Sequence, residues 1–171
     1  MARILALTII FGLVSSCTSG GLVPFKLDYD QVIPLDAEAL AEGGISQAYR
    51  SLLPKLGQYV SQPADIEEVI DDTQPSYAVR YRDREYRIYS PEREDREGES
   101  WGRATHALFS IVNDQLERSQ YRFYAINGGN DLGGIFLTPS ESEAARKSLP
   151  RKNDWPYLPT LGDPWYGQYH D

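Results

Sequence analysis

The chain has 171 residues, of which 41% are hydrophobic, 25% charged and 12% aromatic, a globular composition with enough length for one core. A formal charge of −8 argues against a nucleic-acid partner, because a phosphate backbone is held by clustered Lys and Arg. One Cys excludes an internal disulfide, and with only two His it leaves little for a transition-metal site, so no metal or other cofactor is expected.

The chain opens on Met1-Ala2-Arg3, followed by an apolar run from Ile4 to Val14 broken only by Thr8 and Gly12. The run falls short of the roughly twenty residues that span a bilayer as a helix. It suits the apolar centre of an export signal. It ends in Val14-Ser15-Ser16-Cys17, an aliphatic residue, two small residues and a cysteine. This string resembles the lipobox of bacterial lipoproteins. The resemblance covers the export segment alone. It implies a signal peptide of residues 1–16, cleavage before Cys17 and lipid attached to the Cys17 sulfur. Several acyl chains on one residue anchor a protein stably, where a single chain is marginal. Within that family, Thr18 rather than Asp after the cysteine implies the outer membrane, with the domain facing the periplasm.

Residues 17–35, with Gly20-Gly21, Pro24 and Pro34, read as a tether; Val23, Phe25 and Leu27 alternate as in a short edge strand. Asp36 is placed to cap a short helix ending at Gly43-Gly44. Tyr49, Leu52, Leu53, Leu56 and Val60 recur at helical spacing. Pro54 leaves two options, a helix starting near Ser51 or a longer one kinked at the proline. A further helix is expected from Pro63 to Asp71, with Asp65, Glu67 and Glu68 in its first turns and Ile66, Val69 and Ile70 facing the core. Alternation of Tyr77, Val79 and Tyr81, then of Tyr86 and Ile88, predicts a hairpin over 76–90. A charged loop fills 91–100.

Ser100 is the expected cap of a helix over 101–118, with Trp101, Ala104, Leu108, Ile111, Val112 and Gln115 or Leu116 on one face and Arg103, His106, Asn113, Asp114 and Glu117 mostly on the other. Strands are expected at 121–126 and 135–137, joined by the Gly-rich turn 127–134. Thr138, Pro139 and Glu141 have capping-box spacing for a last helix ending near Leu149. The sum is one α+β domain over 36–160, a mainly antiparallel sheet of two hairpins packed against several helices, with a Pro/aromatic tail at 161–171.

No catalytic set is legible. His106 and Ser110 are one helical turn apart, but no nucleophile-elbow motif or oriented base accompanies them. The turn Asn127-Gly128-Gly129-Asn130-Asp131-Leu132-Gly133-Gly134 matches neither a dinucleotide fingerprint nor a phosphate loop. Asn127, Asn130 and Asp131 are its candidate contact residues, against the simpler reading of a hairpin turn. Arg80, Arg82 and Arg87 are candidates for one sheet face that captures an anionic group, against the reading of a solvated face paired with acidic neighbours. Trp165 and Tyr166 are candidate partner contacts in the tail, while residues 155–159 are expected to wrap the domain. These readings point to a non-enzymatic envelope lipoprotein that binds a protein, and the acidity of the domain suits a basic partner. In kind it resembles the small lipoprotein immunity proteins and inhibitors that neutralise a periplasmic toxin or hydrolase. The alternatives are a peptidoglycan- or glycan-binding lipoprotein, or an enzyme without a readable motif.

Overall fold

A computed structural model describes residues 25–93 and 98–162. Strand β1 (Ile33–Pro34) is followed by a single helical turn α1 (Ala37–Ala39) and a wide turn over Leu40–Gly44 that leads into α2 (Ile45–Leu56). Strands β2 (Glu67–Asp71), β3 (Ser76–Tyr81) and β4 (Arg84–Tyr89) come next, then the long helix α3 (Glu99–Gln115). Strands β5 (Arg122–Ile126) and β6 (Gly133–Leu137) and helix α4 (Pro139–Ser148) complete the order.

The α+β expectation holds, with one refinement. The two hairpins lie in separate antiparallel sheets, and each gains a third strand, giving the orders β1-β6-β5 and β2-β3-β4. Helix α3 packs against both sheets, so Thr105, Ala107 and Phe109 are buried as well as the expected Ala104, Leu108 and Ile111. A helix between two sheets has no broad solvent face, which explains why its apolar stripe runs wider than a surface helix requires.

The first sheet is covered on both faces. Phe123 and Phe136 join the core shared with α3, while Tyr124, Ile126, Ile135 and Leu137 pack with Leu27 and Ala145 of α4 on the other side. The second sheet is covered on one face only. Tyr77, Val79, Tyr81 and Ile88 are buried, whereas Arg80, Glu85 and Arg87 are exposed on the opposite side.

Several local expectations are corrected. Residues 67–71 form a strand, not the end of a helix from Pro63. Their β-branched Val69 and Ile70 suit a pleated surface, and β3 supplies a pairing edge that local sequence does not reveal. The tether is shorter than expected, because Leu27 is buried and β1 pairs with β6. Helix α2 begins well before Ser51 and carries Pro54 in its last turn; the break lies instead at Gly43, whose φ of +94° ends the first helical turns. Helix α3 starts after Gly98 rather than at a Ser100 cap. The capping box of α4 forms as expected, with Thr138 Oγ1 accepting from the Glu141 amide and Glu141 Oε2 accepting from the Thr138 amide. Tyr157 is buried and adds an isolated bridge to the free side of β5 through Ala125, so residues 155–159 do wrap the domain. The expected signal segment, Cys17, Trp165 and Tyr166 lie outside the described residues.

Candidate functional site

The exposed face of the second sheet is built by strand register. Glu67 stands opposite Arg80, and Val69 opposite Ala78. Arg80 stands opposite Glu85, and Ala78 opposite Arg87. Alternation then places Glu67, Val69, Ala78, Arg80, Glu85 and Arg87 on one side. Together with Asp71, Tyr89 and Glu92, this side forms a shallow groove of about 280 Å³.

Glu85 organises the charges. It accepts from Arg80 Nε at 3.3 Å and from Arg87 Nη2 at 3.1 Å. Those hydrogen bonds, Arg87 first and then Arg80, hold its carboxyl below the usual range. Arg80 also reaches Glu67 at 3.8 Å. Asp71 is held low by the Thr73 hydroxyl, then by the Thr73 and Gln74 amides, in the turn that leads into β3. Exposed pairs of this kind contribute little stability. They leave a mixed-charge surface whose groups can exchange partners at low cost.

Arg80 and Arg87 therefore share the expected face, but Arg82 does not. It occupies the β3–β4 turn at a φ of +54° and donates to Asp114 Oδ2 of α3 at 2.6 Å. Arg84 reaches the other oxygen of Asp114, Oδ1, at 3.6 Å, and the buried Tyr81 hydroxyl donates to Oδ2 at 2.8 Å.

The Gly-rich turn belongs to the packing of the first sheet. Asn127 adopts a φ of +56°, and its carbonyl accepts the Tyr157 hydroxyl at 2.6 Å. Asn130 donates to Glu38 at 3.1 Å, and Asp131 is exposed at the end of a short 3₁₀ turn. Gly134 lies directly on the Phe123 ring, and a Cβ there would stand 2.0 Å from Cζ. Asn130 also borders a second groove of about 430 Å³ between β1 and α2, apart from the open sheet face.

His106 and Ser110 are within 3.1 Å of one another on α3, and burial pushes the imidazole pKa down. Among the described residues no carboxylate hydrogen-bonds this ring, so the pair lacks the orienting third group of a catalytic triad. Among the described residues no cluster of three or more His, Cys, Asp or Glu is placed to hold a metal ion. No helix among them is long and apolar enough to cross a membrane.

Glu85 was not singled out as a site residue in the sequence; Val69 and Ile70 were set facing the core, whereas Ile70 is 51% exposed. The signal for Glu85 was present, since its position two residues before Arg87 on one strand puts both on one face. Val69 and Ile70 were hidden by the helical reading of 63–71. Comparison of the chain with protein-family models, with curated proteins and with solved structures gives no match.

Proposed function

We propose that this chain is a non-enzymatic envelope lipoprotein whose folded domain binds another protein through the open face of the second sheet. One observation carries the reading: the first sheet is covered on both faces, while the second leaves Arg80, Glu85 and Arg87 exposed around a groove. Three part-buried polar side chains are engaged in the domain's own framework. Glu68, Asp114 and Gln115 bind Tyr77, Tyr81 and Tyr49 respectively. The anchoring half of the reading rests on Val14-Ser15-Ser16-Cys17; joined to a small acidic α+β domain, it is similar in kind to an immunity protein or inhibitor held at the outer membrane.

A photo-crosslinking residue at position 87, compared with one at exposed Glu143 on α4, tests the domain. A discrete protein adduct in living cells from position 87 and none from 143 is expected. No adduct from 87, or equal adducts from both, refutes the surface. Acyl-chain labelling that survives Cys17→Ser refutes the anchor.

A further inference from the structure

Strand β2 ends its sheet. Its residues pair with β3 on one side, and among the described residues no backbone group pairs with the other side. Such an edge offers alternate free N–H and C=O groups to an incoming strand. The side chains along it are unusual for a bare edge. Ile70 is 51% exposed, among the most exposed large hydrophobic residues of the domain. Val69 forms part of the groove on the open face. Glu67 and Asp71 flank these two at either end and are exposed, as are Asp65 and Asp72 just beyond. The cation paired with this row is Arg80, which reaches Glu67 only at 3.8 Å and shares itself with Glu85.

We infer that the outer edge of β2 receives an extended, basic segment of a partner protein as a fourth strand. The proposal rests on the protein-binding reading above and names the partner's chemistry. Strand pairing places each incoming side chain beside its opposite number. Positions opposite Glu67 and Asp71 then call for Lys or Arg, and those opposite Val69 and Ile70 for β-branched aliphatics. The position opposite Glu68 stays neutral, because that carboxylate already accepts from Tyr77 and Ser46. The motif is basic–neutral–aliphatic–aliphatic–basic. A second copy of this chain does not fit, since two β2 edges would set Glu67 and Asp71 against like charges.

The probe is the capped peptide Lys-Thr-Val-Ile-Lys, added to the full isotope-labelled chain and followed by amide shifts and hydrogen exchange. Protection concentrated at residues 67–71 is expected, with binding weakened by added salt. Ile70→Lys and Glu67→Lys each replace an exposed side chain. Each is expected to weaken binding by about tenfold with an unchanged melting curve. Glu-Thr-Val-Ile-Glu is expected not to bind. Protection elsewhere, equal binding of both peptides, or self-association through 67–71 overturns the proposal. If the peptide fails while the crosslink from position 87 persists, the β2 edge is wrong and the open-face reading stands. Loss of that crosslink removes both.

Discussion

The Tyr77 hydroxyl donates to Glu68 Oε1 at 2.5 Å, and this pair replaces the side-chain cap that α2 lacks. Helix α2 begins after Gly44, which has no side chain to offer its free amides. Instead the Ile45 amide donates to the Tyr77 oxygen at 3.3 Å, and the Ser46 amide to Glu68 at 2.9 Å. The second sheet thus caps the helix across the core. Glu68→Ala strands both the Tyr77 hydroxyl and the Ser46 amide. It is expected to cost about 1–3 kcal/mol in urea unfolding. Glu68→Gln, which keeps an acceptor, is expected to cost less.

Tyr77 and Tyr81 also give the domain an alkaline limit. Burial first, then the hydrogen bonds to Glu68 and Asp114, push both phenols far above the ordinary value of 10.0. Burial likewise raises Tyr49 and Tyr59. A raised folded-state pKa means the unfolded chain releases these protons first. The stabilisation is therefore complete below pH of about 10 and declines as pH rises beyond it, by about 1.4 kcal/mol per pH unit for each of the strongly shifted pair, Tyr77 and Tyr81. Urea midpoints measured across this range are expected to fall, and to fall less steeply in Tyr81→Phe.

Gly134 and Phe123 are in close contact within the first sheet. The glycine opens the space that the ring occupies beneath β6, and Phe123 stacks in turn on Phe109 of α3 with ring centroids 4.7 Å apart. Gly134→Ala must move the ring or the strand. A loss of about 1–3 kcal/mol is expected, of the size seen on overpacking a core. Thermal unfolding measures it. Near-neutral behaviour would refute the contact.

Asp114 and Arg82 form one ion pair but contribute unequally. Asp114 also satisfies the buried Tyr81 hydroxyl, whereas Arg82 is an exposed turn residue. Asp114→Ala is expected to destabilise by about 1–3 kcal/mol, because it leaves a buried donor unpaired. Arg82→Ala is expected to cost at most about 1 kcal/mol, as for other exposed pairs. Equal losses would show that the tyrosine plays no part.

Much of the fold was legible where the code is local. Tyr77, Val79 and Tyr81 alternate, and β3 buries all three. Thr138 and Glu141 have capping-box spacing, and the box forms. The open face was half legible, since Arg80 and Arg87 were placed correctly by alternation while Arg82 was lost to a turn. The misread cases share a cause. Asn113 was placed on the helix face opposite the apolar one, yet its amide accepts from the Phe123 N–H at 2.8 Å and donates to the Phe123 carbonyl at 2.9 Å, as a neighbouring strand would. Residues 67–71 were read as helix because apolar spacing over a few residues fits either period.

By itself the sequence determined the class of the fold, the hairpins, the long helix, the capping box and the lipobox-like string at Cys17. Each is written in neighbours a few residues apart. Tertiary structure alone decided that the hairpins lie in separate sheets and that β2 is a strand with a bare edge. It also decided that Glu68 caps a helix and that one sheet face is left uncovered. These outcomes depend on hydrogen-bond partners and buried surfaces distant in the chain, and a polar side chain goes inward only where such a partner waits for it.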